Sequence, residues 1–147
     1  MTRPLLRVHL AVTIDGYIAR EDGSFDYLDP FGEAHTNWDE FYASFGSIIM
    51  GRTTFEVADP IDRWLYADKR VFVMTSRPLH TARPNVEPFS DPVALIERLR
   101  REETLDIWHM SGGRSLEPFE KLNLIDRWEL AVIPIRLGAG IPLFRSN

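Results

Sequence analysis

The sequence predicts an α/β domain in three layers, with a mainly parallel central sheet and helices on both faces. Three observations predict it. Apolar runs short enough to be strands buried on both faces recur at residues 48–50, 71–74 and 107–110. Segments with three-four apolar spacing alternate with them, as crossovers between parallel strands require. Each run closes in a polar corner that sets a small or hydroxyl residue beside an arginine: Gly51-Arg52-Thr53, Thr75-Ser76-Arg77 and Gly112-Gly113-Arg114.

Taken in order, Leu6, Val8, Leu10, Val12 and Ile14 alternate with Arg7, His9, Ala11 and Thr13, the period of a strand with one fully buried face. Asp15-Gly16 ends it, and Tyr17, Ile18 and Ala19 resume an extended course. Residues 25–32 are rich in Asp, Pro, Gly and aromatics, which marks a loop, and Phe25, Tyr27 and Phe31 predict that it packs over something. Thr36 or Asn37 can cap a helix carrying Trp38, Phe41, Tyr42 and Phe45, stopped by Gly46. A second helix starts near Thr53 and gives out before Asp59-Pro60. Residues 86–89 form a shorter strand. Asp91-Pro92 opens a helix with a capping carboxylate and a proline at N1, Leu95, Ile96 and Leu99 form its buried stripe, and Glu97 and Arg101 face each other. Leu116, Phe119 and Leu122 fit a short helix, and residues 128–135 alternate as a last long strand. Gly138-Ala139-Gly140 opens no helix, so it reads as a bulge or turn rather than a dinucleotide fingerprint.

At 147 residues the chain makes a single domain, residues 1–147, without an internal boundary or repeat. A net charge of −5 with no Lys/Arg block argues against a nucleic-acid partner. Arginine fills fifteen of the seventeen Lys/Arg positions, a bias that suits phosphate but is accounted for first by genomic composition. Cysteine is absent, which excludes disulfides, thiol nucleophiles and thiolate metal sites and leaves the cytoplasm as the default compartment. No stretch approaches the ~20 apolar residues of a membrane span, and the first residues lack the apolar core of an export signal. His9, His35, His80 and His109 are scattered without ligand spacing, so no metal is expected; His109, beside Trp108, reads as a packed residue. Trp38, Trp64, Trp108 and Trp128 read as core or pocket walls.

The corner after residues 48–50 combines a strand end, Gly51, a cation at Arg52 and hydroxyls at Thr53 and Thr54. Backbone N–H groups and a guanidinium suit a phosphate there, while the plain alternative is a strand-to-helix turn with Arg52 solvated. Ligands of parallel sheets bind at the carboxyl ends of strands, so three such corners at equivalent positions point to an extended ligand with several phosphates.

With these motifs in order, the chain resembles the dihydrofolate reductase superfamily, and most closely the branch of the riboflavin-biosynthesis reductase, the C-terminal domain of the bifunctional deaminase-reductase. The matching stretches are Thr-x-Asp-Gly-x-Ile-Ala at residues 13–19, Ile-Met-Gly-Arg-x-Thr-Phe-Glu at 49–56, Thr-Ser-Arg at 75–77 and Ser-Gly-Gly at 111–113. Leu-Ile-Asp at 124–126 and Pro-x-x-Leu-Gly-x-Gly-x-Pro-Leu-Phe at 134–144 complete the set. The resemblance implies a dihydrofolate-reductase-like fold, NADPH as hydride donor and reduction of a pterin-like or ribosylamino-pyrimidine-like substrate. By position, Gly51, Arg52, Thr53 and Thr54 would hold the pyrophosphate and adjacent ribose; Thr75, Ser76 and Arg77 form the corner whose Ser76 and Arg77 would meet the 2′-phosphate. Ser111, Gly112, Gly113, Arg114 and Ser115 would approach the diphosphate from the other side, and Ala11, Ile18 and Ala19 would line the nicotinamide pocket. Relatives usually continue beyond the Pro-Leu-Phe segment with one more antiparallel hairpin, whereas this chain stops at Asn147. The sheet is therefore expected to be cut short or finished by a partner, and a homodimer is the expected assembly.

Hydride transfer also needs a proton source for the heteroatom. Folate-reducing relatives carry a carboxylate on the helix before the Met-Gly-Arg strand, and here Trp38 aligns with it. The nearest acids, Asp39 and Glu40, are candidates, with an exposed helix face as the alternative. Asp15 is another, although a turn-forming role suits it as well; so is a water held between His9 and the substrate. Two non-catalytic readings remain beside the reductase: a nucleotide-binding module on the same scaffold, and a flavin- or drug-binding protein.

Overall fold

In a computed structural model, residues 4–22, 26–27, 38–59, 66–110 and 113–144 are described, apart from the side chains of residues 38, 57 and 58. The loop aromatics Phe25 and Phe31, the caps Thr36 and Asn37, His35, Trp64, and Ser111 with Gly112 lie outside them. The described strands are β1 (Leu6–Thr13), β2 (Tyr17–Ala19), β3 (Phe45–Gly51), β4 (Arg70–Met74), β5 (Val86–Phe89), β6 (Asp106–His109), β7 (Arg127–Ile133) and β8 (Ile141–Pro142). The helices are α1 (Trp38–Ala43), α2 (Arg52–Ala58), α3 (Pro92–Glu102) and α4 (Glu117–Lys121). A six-stranded sheet runs β5-β4-β3-β6-β1-β7, parallel throughout, and β2 pairs antiparallel with β8. The expected α/β architecture with helices on both faces is present.

Strand alternation sorts the core onto two faces. On one, Phe41 and Tyr42 of α1 and Phe55 of α2 pack with Ile48, Met50, Val71, Val73 and Trp108. On the other, Leu95, Ile96 and Leu99 of α3 and Phe119 of α4 pack on Leu6, Ile49, Phe72 and Ile107. Asp91 caps α3 as its sequence predicts, its side chain accepting from Ala94 N, and Pro92 sits at the helix start. The i,i+4 ion pair on α3 is Arg98 with Glu102, one position beyond the expected Glu97 and Arg101.

Phe45, expected on the first helix, instead opens β3 opposite Asp106. Tertiary contacts override the helical spacing there: Lys69 Nζ donates to the carbonyls of Tyr42 (2.8 Å) and Phe45 (2.7 Å), and Asp106 N donates to Ser44 O. The last long strand ends at Ile133, two residues early, and Ile135 N turns back to Ile133 O. Trp108 is buried as expected, but Trp128 is 37% exposed on the edge strand β7. Tyr27 is buried and its hydroxyl donates to Ile18 O, so this part of the aromatic loop does pack down. Among the described residues no helix is long and apolar enough to cross a membrane.

Candidate functional site

Parallel pairing puts the carboxyl ends of β3, β4, β6 and β1 on one rim. Gly51 lies beside Met74, so the first two corners adjoin. They are also bonded, for Arg52 Nη1 donates to Thr75 Oγ1 (2.9 Å) and to Pro78 O (3.2 Å). The Thr75 hydroxyl further accepts from Arg77 N (3.2 Å), so Thr75 shapes the corner while Ser76 and Arg77 stand exposed. Thr53 is exposed and Thr54 half-buried on the first turn of α2. Gly51 precedes that turn in extended conformation and supplies no side-chain cap.

The third corner is described from Gly113 onward. Gly113 has φ of 64°, a left-handed conformation that glycine adopts freely. Residues Gly113–Ser115 form a 3-10 turn in which Arg114 is exposed and Ser115 buried. The Ser115 carbonyl meets His109 Nε2 at 3.1 Å, and Phe119 stands edge-on to that imidazole, so His109 is the packed residue its sequence predicts.

Between these corners and β1 the sheet opens. The β1–β6 ladder holds Leu6, Arg7 and Val8 against Ile107, Trp108 and His109, and there β6 ends, while β1 continues to Thr13 alongside β7. Just past that ladder, Trp108 Nε1 donates to His9 O (3.0 Å). The β2–β8 pair flanks the opening on the β1 side. Gly140, in the turn before β8, has φ of 156°, and a Cβ there would lie 2.3 Å from Ala19 O. Gly113 in turn faces Ile141, whose Cγ2 would be 3.6 Å from a Cβ at that glycine. Ala19 is buried and Ala11 and Ile18 are half-buried; Ile18 packs against Val8, Val12, Leu116 and Leu143, while Ala11 shares the other face of β1 with His9.

The candidate proton donors separate. Asp39 and Glu40 are exposed in the first turn of α1. Asp15 is an anchor: it accepts from Thr13 Oγ1 (2.5 Å), Gly138 N (2.8 Å) and Leu137 N (3.3 Å), tying the end of β1 to the glycine turn. The Thr13 hydroxyl, helped by those two N–H groups, holds its carboxyl below the ordinary aspartate value.

A cluster that no sequence motif announces lies on the α1 face. Arg7 donates to both oxygens of Glu129 (2.7 and 3.1 Å), to Ser44 Oγ (2.8 Å) and to Asp106 Oδ2 (3.3 Å). Arg7's hydrogen bond keeps the Glu129 carboxyl below the usual glutamate range, against a desolvation that pushes it up. His9, directly across from Glu129 on β1, stacks on Phe41 at 4.0 Å between ring centroids. The alternation of Arg7 and His9 was the only signal that they share a face; the partner on β7 lies 122 residues from Arg7.

Fold and rim together define a dihydrofolate-reductase-like α/β domain. A dihydrofolate reductase from Enterococcus faecalis, solved with NADP(H), superposes with a TM-score of 0.60 at 17% identity over 96% of this chain and 77% of that one. The chain belongs to the RibD C-terminal domain family, whose model matches residues 4–147. It is 37% identical to the uncharacterized protein YwjB of Bacillus subtilis (strain 168), over 95% of this chain and 82% of that protein. A Shewanella sp. PV-4 structure, named for riboflavin biosynthesis, shares 27% identity with a TM-score of 0.81 over 97% of this chain and 84% of that chain. The Thermotoga maritima deaminase/5-amino-6-(5-phosphoribosylamino)uracil reductase gives a TM-score of 0.67 at 17% identity, and the match spans 48% of that longer chain.

Proposed function

We propose that the protein is an NADPH-dependent reductase of a small heteroaromatic or carbonyl substrate, pterin-like or ribosylamino-pyrimidine-like. The observation that carries this reading is the adjoining of two arginine corners, bonded to each other, on the carboxyl rim of the sheet. Arg52 supports the fit of an anionic group. Its Nε is buried without a hydrogen-bond partner among the described residues, and the nearest carboxylate oxygen, on Glu56, is 3.5 Å away. A phosphate oxygen would satisfy that donor and gain a charge-assisted bond.

On this reading Gly51, Arg52, Thr53 and Thr54 hold the pyrophosphate and ribose, and Ser76 and Arg77, in the corner built by Thr75, hold the 2′-phosphate. Ser111, Gly112, Gly113, Arg114 and Ser115 serve the diphosphate from the other side, and Ala11, Ile18 and Ala19 bound the nicotinamide. When bound, NADPH supplies the hydride. The chain's own part is to hold the two reactants face to face and exclude water. A cysteine-free reductase of this kind suits the cytoplasm.

Arg77→Ala tests the cofactor assignment: binding of NADPH, followed by tryptophan fluorescence, weakens far more than binding of NADH. Equal losses would remove the 2′-phosphate site. The exposure of Asp39 and Glu40 favours a second reading, a nucleotide- or flavin-binding module without catalysis. NADPH consumption measured across pterin, flavin and ribosylamino-pyrimidine acceptors separates the two, since tight binding with no oxidation would leave the module.

A further inference from the structure

We propose that His9 donates the proton to the acceptor and that Glu129 is its positioning carboxylate. The inference rests on the reductase reading and names the group that reading leaves open. His9 is the first residue of β1 beyond the β1–β6 ladder, two positions before Ala11 on the same face, and it is half-buried. Its ring is set by the stack on Phe41 (centroids 4.0 Å, planes 27° apart) and by Trp108 edge-on at 6.3 Å. Opposite it on β7 stands Glu129, about one strand spacing (~4.8 Å) away. Arg7 clamps both Glu129 oxygens, so this carboxylate stays ionised and fixed, and the charges of His9 and Glu129 favour each other. By contrast, Asp39 and Glu40 are exposed, and Asp15 is committed to the Leu137-Gly138 turn.

The proton balance is simple. The acceptor carbon gains a hydrogen and its electron pair from the reduced nicotinamide, and the C=N or C=O π bond breaks toward the heteroatom. That heteroatom takes the proton of the His9 imidazolium, and solvent reprotonates His9. Among the described residues, the charged groups on the elements packed against His9 are Glu129 and Arg127 on β7, Arg7 on β1 with its partner Asp106 on β6, and, at the exposed start of α1, Asp39 and Glu40; nearest on β6 is the uncharged Trp108.

The test has one arm without ligand and one with turnover. In NMR titrations of the full chain, with the His9 resonance assigned by its loss in His9→Gln, Glu129→Gln lowers the His9 midpoint by about one pH unit, a tenfold loss of proton affinity. Glu129→Asp falls between, which covers the case in which the glutamine variant does not fold. In turnover, His9→Gln lowers kcat about a hundredfold or more with NADPH affinity unchanged, and it abolishes the fall of kcat with rising pH. Glu129→Gln moves that fall to lower pH. An unmoved His9 midpoint in both Glu129 variants overturns the pairing, and a His9→Gln enzyme with native kcat and pH profile overturns the donor. If the wild-type protein reduces no acceptor, the reductase reading falls first and the donor role with it, whatever the titration shows.

Discussion

Replacing Arg7 with Met isolates the energetic weight of its cluster on the α1 face of the sheet. Methionine keeps an apolar stem against Phe41, over which the guanidinium now lies at 5.5 Å, but removes the hydrogen bonds to Glu129, Ser44 and Asp106. Removing one partner of a fully buried ion pair costs about 3–5 kcal/mol. Here the Arg7 side chain is 10% exposed while Glu129 and Asp106 are 30% and 25% exposed, so water recovers part of the loss and about 2–3 kcal/mol is expected. The effect depends on pH with a definite sign. The Glu129 carboxyl is held below its usual value in the folded protein, chiefly by Arg7. Its contribution is complete above the unfolded glutamate value of about 4.3 and fades as pH falls through the lower folded value. Urea unfolding at pH 7 and at about pH 3.5, read through the midpoint at constant slope, therefore shows a large difference between wild type and variant at pH 7 and a smaller one in acid. A difference below about 0.5 kcal/mol at pH 7, or one that does not shrink in acid, would refute the assigned role of the pair, because surface substitutions already reach that size.

Three further outcomes follow from the same geometry. Gly140→Ala forces a Cβ to within 2.3 Å of Ala19 O at a φ of 156°, which costs about 1–3 kcal/mol in thermal unfolding and weakens NADPH by displacing Ala19. Phe119→Ala empties the site between β6 and α4 where the ring meets His109 and Phe89, and its cost of about 3–5 kcal/mol is read from the urea midpoint. We propose a homodimer built on the β7 side, because Val132 and Phe144 are 61% and 51% exposed beside Trp128 and β7 pairs only with β1 among the described residues. Light scattering then gives about twice 17.0 kDa for the native chain and 17.0 kDa for Val132→Lys; a native mass of 17.0 kDa at every concentration would end that proposal.

The period of two along β1 was readable because Leu6, Val8 and Val12 are buried on one face and hold the register; the expected full burial of that face fails at Leu10, which is half-buried, and at Ile14, 63% exposed just past the strand end. Gly113, with φ of 64°, is a position where the glycine itself carries conformational information, and the places of the first two corners were readable because apolar runs stop at Gly51 and Thr75. Phe45 was not, since its aromatic spacing continues α1 and only the distant Lys69 and Asp106 move it into a strand. The Arg7, His9 and Glu129 cluster was not readable either: register between β1 and β7 creates it, and neither strand holds a motif for the other. For Trp128 the core alternative fails, because an edge position, unlike a hydrophobic residue type, leaves no mark in local sequence.

The seam between β6 and β1 is three rungs long, whereas β1 and β7 match over seven. That short seam joins the β5-β4-β3-β6 strands to the β1-β7 pair within one sheet, and beyond it β1 keeps β7 as its ladder partner. The seam side chains Leu6, Val8 and Ile107 are fully buried, so a change of volume at any one of them is felt by the strands on both sides.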